Sequence, residues 1–186
     1  MESIKKEEHF LEPDPRSQSL EPPLATQYEI VSYFRLHDGV PESVRSYMNM
    51  VVTLWLYGWL YYPFYPLAIF HSTTAVEMAL QERFPAKRGR GLKKLLQTAK
   101  EAGLLSDAGF PSLQNRRDTV QAMAGAEPVS NSEPPYVDVL IGTLPNIRNR
   151  FAHPEMHTIM PPGMSIDALI LAAEIINQLW PAPLQP

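Results

Sequence analysis

The residues best suited to chemistry form a short cluster near the end of a predicted helix: Arg148, Asn149, Arg150 and His153, followed by Pro154. A guanidinium binds a phosphodiester through two parallel hydrogen bonds, and an imidazole that titrates near neutral pH can move a proton. Asn149 and His153 are four positions apart and share one helix face, whereas Arg148 must reach them with its long side chain. Together these groups predict cleavage of RNA without a metal.

In that reaction a base takes the proton of the ribose 2′-hydroxyl, and the oxygen attacks the neighbouring phosphorus while arginine neutralises the developing charge. DNA lacks the hydroxyl and would be spared. A second interpretation is structural, because arginines at a helix end also cap carbonyls or pair with acids, and the helix dipole favours His153 there. Glu77 is compatible with two roles, as a partner that holds Arg148 in place or as a side chain that faces water.

The same hexapeptide, Arg-Asn-Arg-Phe-Ala-His, resembles the signature of HEPN domains (higher eukaryotes and prokaryotes nucleotide-binding), in which an arginine and a polar residue precede a histidine by a few positions. Leu144 and Pro145 come before it, and Ala-His-Pro and one last amphipathic helix follow. The segments FHSTTAVEMALQERF and GLKKLLQTAKEAGLL are similar to the family's second and third helices. The likeness therefore spans roughly residues 40–180.

The resemblance implies a helical bundle that is usually dimeric, in which the two motif helices meet to form a composite, metal-independent endoribonuclease site. By position it implies that Arg148 binds phosphate, Asn149 orients its neighbours, and His153 is the general base or acid. It also implies a toxin or phage-defence setting. Family toxins regulated by a nucleotidyltransferase partner commonly carry tyrosine where this chain has Glu155. Because many members are noncatalytic, the alternative function is a helical module that binds nucleotide, RNA or a regulatory protein partner.

The hydrophobic pattern predicts the helices that must position this motif. We expect helices over 41–62, from the proline pair at 63 and 66 to Pro85, over 92–102 with Gly103 as a left-handed cap, over 135–153 with a kink or restart at Pro145, and from a Ser165 cap to Trp180. The connection over 106–134 contains at most one short helix, at 113–124. The predicted fold is all-α: an antiparallel, HEPN-like bundle of five or six helices, with no convincing strand.

Composition indicates one domain with two tails. The chain has 186 residues and no cysteine, which excludes disulfides, thiolate zinc sites, iron–sulfur clusters and thiol nucleophiles and fits a cytoplasmic location. Residues 1–25 combine charges with four prolines and few apolar residues, so they predict a flexible arm. The helical domain is then expected over 26–180 and a frayed tail over 181–186. The net charge of −4 does not by itself indicate a nucleic-acid binder.

A local excess of positive charge lies over residues 83–117, which contain nine basic and two acidic residues, net +7. Besides Arg150 near the motif, the candidates for RNA contact are Lys87, Arg88, Arg90, Lys93 and Lys94. A solvated loop and helix face is the alternative, because no aromatic residues interleave with the charges.

Residues 48–70 carry no formal charge over 23 positions, which is long enough to cross a membrane. Tyrosines and tryptophans within the run, together with Pro63 and Pro66, favour a pair of buried helices, so we expect no membrane association. The aromatic run 55–65 is expected in the core or a dimer interface. His153 and His157 lack a third ligand and are separated by a proline, so no metal or other cofactor is predicted.

Overall fold

The computed structural model describes residues 5–32, 35–112, 134–152 and 163–181. Within these ranges the chain forms α-helices and short 3₁₀ turns and no β-strand, so the all-α prediction is confirmed for them. The helices are α1 Pro15–Leu20, α2 Leu24–Ser32, α3 Glu42–Tyr57, α4 Phe64–Arg83, α5 Leu92–Glu101, α6 Tyr136–Ala152 and α7 Met164–Leu179. The short helix predicted over 113–124 and residues 182–186 of the tail lie outside the described residues.

Helix α4 is the centre of the fold and packs against α3, α5, α6 and α7. Its buried residues share one broad face that covers about half of the helix circumference: Tyr65, Ala68, Ile69, Ser72, Thr73, Ala75, Val76, Ala79 and Leu80. Helix α3 buries a narrower stripe of Val44, Met48, Val51 and Trp55. The opposite face of α4 carries half-buried side chains and lies between α3 and α6, which is where a site can form.

The turn between α3 and α4 is set by a close contact. Helix α3 ends at Tyr57 and not at 62, and a Cβ atom on Gly58 would lie 2.6 Å from Cε1 of Tyr65. Glycine at this point lets the Tyr65 ring enter the core, where it packs edge to face against Trp55. Pro66 lies in the first turn of α4, where its missing N–H breaks no helical hydrogen bond.

The core prediction for the aromatic run holds for Trp55, Tyr62 and Tyr65, which are buried, whereas Tyr57 is 55% exposed. No described helix combines the length and the apolar character that crossing a membrane requires. The central aromatic residues therefore pack inside a helical bundle.

Two helix ends test the predicted caps. Gly103 follows α5 with φ of +69°, which confirms its left-handed conformation. The prediction that Ser165 caps α7 is wrong, because Gly163 precedes the helix and Ser165 lies within it. Ser165 is fully buried, and its hydroxyl accepts a hydrogen bond of 2.9 Å from Nε1 of Trp55. A buried indole N–H needs such an acceptor, which explains the serine.

The structure differs from the expected flexible arm over residues 5–25. These residues pack on the turn between α3 and α4 through polar groups: Asp14 accepts from the Tyr62 amide at 3.1 Å, and the Ser17 hydroxyl donates to the Gly58 carbonyl at 2.7 Å. Glu21 is also buried, at 7% exposure. Leu20 packs against the core, but most of the contacts that hold this segment are polar, so a count of apolar residues does not find it.

Candidate functional site

The last turns of α6 bring Arg148 against the middle of α4. The α6 helix continues through Pro145, so the predicted restart there is not observed. Nη2 of Arg148 lies 3.3 Å from Oε2 of Glu77, and the two side chains are 37% and 19% exposed. Of the two roles open to Glu77, pairing with Arg148 is confirmed. A half-buried carboxylate fixes the guanidinium more firmly than a fully solvated one would.

Two further groups surround the guanidinium. Its central carbon Cζ lies 6.0 Å from the centre of the Phe70 ring, within the range of a cation–π contact, and Nη1 makes a long hydrogen bond of 3.4 Å to Oδ1 of Asn149. Nε of Arg148 is buried and has no acceptor among the described residues. Arg148 is thus oriented by a carboxylate, an aromatic ring and an amide, and it retains an unused N–H donor.

On the other side of Phe70 lies a second pair of polar residues. His71 follows Phe70 on α4, and its ring lies 5.3 Å from the Phe70 ring and nearly perpendicular to it. Nδ1 of His71 is 2.8 Å from the hydroxyl of Tyr47 on α3. We call the surface formed by Phe70, His71, Thr74 and Glu77 the α4 strip. It has Tyr47 on the α3 side and Arg148 on the α6 side.

Burial sets the protonation of the pair formed by Tyr47 and His71. Burial lowers the pKa of His71 below its ordinary value of 6.5, and it raises the pKa of Tyr47 above its ordinary value. His71 is therefore neutral and Tyr47 protonated at pH 7. The α4 strip accordingly combines a cation on one side with a neutral imidazole on the other.

The remaining motif residues lie at the end of α6. Asn149 and Arg150 are exposed there, one and two positions beyond Arg148. His153 lies outside the described residues, so its predicted approach to Asn149 stays a prediction. Within the described residues, Arg148 therefore contacts its neighbour Asn149 and, from α4, Glu77 and Phe70.

The predicted RNA-binding cations lie beyond the end of α4. Lys87 is half-buried in a 3₁₀ turn, and the others, Arg88, Arg90, Lys93 and Lys94, are exposed around the start of α5. Arg88 makes a loose ion pair with Glu82 at 3.9 Å. Glu77 and Arg83 are six positions apart along α4, a rise of about 9 Å, so this cluster is separate from the α4 strip. A bound strand of several nucleotides is needed to contact both.

In the described ranges no group of three or more histidine, aspartate and glutamate side chains is placed to hold a metal ion. The arrangement at the strip offers instead an oriented cation and a neutral base. Such groups can act on a phosphodiester by neutralising charge and by moving protons.

Tyr47, Phe70 and His71 are site residues that the sequence motifs do not predict. A partial signal exists for one of them, because Phe70, Thr74 and Glu77 recur at spacings of four and three and so share a helix face. Tyr47 gives no such signal, because it lies 24 positions from His71 and on another helix.

Comparison of the chain with models of protein families, with curated proteins and with solved structures gave no match. The function of this site is therefore inferred from its own geometry and from the resemblance of the motif to the HEPN signature.

Proposed function

We propose that this protein is a metal-independent endoribonuclease of the HEPN type. The observation that carries the proposal is the position of Arg148: it stands in the last turns before His153, half-exposed, and is oriented by Glu77 and Phe70. A cation fixed in advance stabilises charge developing on a phosphoryl group without reorganising during the reaction. Asn149, in contact with Arg148, is the orienting residue of the motif.

In the proposed reaction the ribose 2′-oxygen attacks the adjacent phosphorus and the 5′-oxygen leaves, which yields a 2′,3′-cyclic phosphate. Arg148 binds the phosphoryl oxygens, and His153 transfers a proton. Two copies of the chain meet through their α6 helices to complete the site. Arg150 and the exposed cations around the start of α5 contact the rest of the RNA, in a cytoplasmic toxin or phage-defence protein.

A second candidate function is RNA binding without cleavage. It is favoured by the exposed cluster of Arg88, Arg90, Lys93 and Lys94, because these cations can bind a phosphate backbone whether or not the motif is active. This function predicts tight, salt-sensitive binding that is unchanged when the motif is altered.

The test is cleavage of labelled single-stranded RNA and tRNA in EDTA by the wild type and by the Arg148→Ala and His153→Ala variants. Arg45→Ala is the matched control, because Arg45 is 35% exposed, pairs with Glu42, and also has a buried Nε without an acceptor among the described residues. We expect cyclic phosphate products from the wild type and from Arg45→Ala, and at least about 100-fold less from the two motif variants. Equal cleavage by all four proteins, or none by the wild type, would overturn the proposal.

A further inference from the structure

The α4 strip places Arg148 and the imidazole of His71 beside the same aromatic ring. Arg148 Cζ and the centre of the His71 ring lie 6.0 and 5.3 Å from the centre of the Phe70 ring. Both groups therefore flank one ring on which a nucleotide base can stack. Stacking on an aromatic ring is a common way to hold a single-stranded base.

The hydrogen bond between His71 and Tyr47 is compatible with either tautomer of the ring. Nδ1 of His71 lies 2.8 Å from the Tyr47 hydroxyl oxygen, and either group can be the donor. The tautomer in which Nδ1 donates to the Tyr47 oxygen leaves a lone pair on Nε2.

This tautomer is the one that a general base requires. No described residue hydrogen-bonds to Nε2 of His71, and burial lowers the pKa of the ring, so the lone pair is available at pH 7. The charged and titratable groups along the strip are Tyr47 on α3, Glu77 on α4 and Arg148 on α6. Since Glu77 pairs with Arg148, neither an unpaired cation nor an unpaired anion stands on the strip to reverse this protonation state.

We propose that His71, oriented by Tyr47, is a further catalytic residue: the general base that activates the ribose 2′-hydroxyl of RNA bound at Arg148. This inference rests on the proposed ribonuclease function and adds to it a base within the same protomer. Nε2 takes the 2′-proton as the bond between O2′ and phosphorus forms and the bond from phosphorus to O5′ breaks. The leaving 5′-oxygen takes the proton that the proposed function assigns to His153, and water carries the proton of the His71 imidazolium back to His153.

The experiment compares the wild type with His71→Gln, Tyr47→Phe and the control His9→Gln, in which an exposed histidine is replaced. Cleavage is measured in EDTA across pH 5 to 8, and circular dichroism verifies folding. We expect His71→Gln to lower kcat about 100-fold or more, and Tyr47→Phe to lower it less, while His9→Gln leaves it unchanged. In the wild type, kcat/KM plotted against pH should have its acid limb below pH 6.5, because burial lowers the pKa of His71. This limb should be absent in His71→Gln.

A second measurement uses the wild type alone. The pKa of His71, followed by NMR titration, should be higher in inorganic phosphate than without it, because an anion held at Arg148 favours the imidazolium. Equal cleavage by the wild type and His71→Gln, with Arg148→Ala inactive, would overturn the role of His71 and leave the proposed function standing. A wild type that cuts no RNA would overturn both proposals. If phosphate leaves the pKa of His71 unchanged, His71 does not lie beside an anion bound at Arg148, and its proposed role is overturned.

Discussion

Glu77 and Arg148 are 71 positions apart in the chain and meet at 3.3 Å between Oε2 and Nη2. The pair joins the central helix α4 to the helix that carries the motif. Glu77 both aligns the guanidinium and competes with a phosphate for it. These two effects act on different kinetic constants and can therefore be separated.

We expect Glu77→Gln to lower kcat about 10-fold and to lower KM as well. The first change follows from the loss of alignment, and the second from the greater net positive charge that faces the phosphate. Stability should change by less than about 1 kcal/mol, because the pair is partly solvated. Single-turnover and steady-state RNA cleavage measure both constants. If kcat is unchanged, Glu77 has no positioning role.

The site could be predicted in part, because the motif contains adjacent residues. Arg148 and Asn149 are neighbours in the chain, and Glu77 is an acid on an otherwise apolar stretch, which marked it as a possible partner. Tyr47 and His71 meet only because α3 packs beside α4. Contacts of that kind depend on how helices are arranged, and the periodicity within a single helix does not contain that information.

Helices α3 to α7 were largely predictable, because apolar residues at helical spacing and the glycine after α5 are local signals. Helices α1 and α2 were not predicted, so the described residues contain seven α-helices and not the expected five or six. The docked segment over 5–25 was not predictable, since its partners are backbone groups such as the Gly58 carbonyl. Ser165 shows the same limit. A serine ahead of an apolar run indicates a cap, yet here it is the buried acceptor for Trp55.

Asp14 holds the N-terminal segment to the bundle. Its carboxylate accepts hydrogen bonds from the amides of Arg16 and Tyr62, so Asp14→Ala leaves two donors unpaired and should cost about 1–3 kcal/mol. We expect trypsin to cleave after Arg16 faster in this variant, as followed by mass spectrometry. Glu8→Ala, at an exposed position, is the control. Equal cleavage rates in both variants would show that Asp14 does not hold the segment.

The exposed cations near α5 can be tested through the salt dependence of RNA binding. If Lys93 contacts one phosphate, Lys93→Gln should reduce the slope of log K against log salt by about 0.7 for single-stranded RNA. Binding should weaken similarly for all sequences. Fluorescence anisotropy across a salt series measures this slope, with Lys6→Gln as the exposed control. If Lys93→Gln has the same slope as the wild type, Lys93 does not contact an RNA phosphate.

Glu21 makes the stability of the bundle depend on pH. The carboxyl is buried beside Ser165, neither oxygen has a well-formed hydrogen bond from the described residues, and burial raises its pKa from 4.5 to about 7. Because the pKa of Glu21 is raised in the folded state, its contribution to the free energy of unfolding is fully present below pH 4.5 and is lost as pH rises through about 7.

The free energy of unfolding that is lost through the titration of Glu21 is at most about 3 kcal/mol, which is the energy equivalent of its pKa shift. Glu21→Gln mimics the protonated form, so the free energy of unfolding in urea of the wild type should fall relative to that of this variant as pH rises from 5 to 8. The lowered pKa of His71 also changes stability in this window, but it acts equally on both proteins and cancels in the difference. The window avoids Asp14, whose pKa is lowered because hydrogen bonds from Arg16 and Tyr62 outweigh its burial. The exposed Glu29→Gln is the control and should follow the wild type. A difference between wild type and Glu21→Gln that is the same at pH 5 and pH 8 would show that the pKa of Glu21 is not raised in the folded protein.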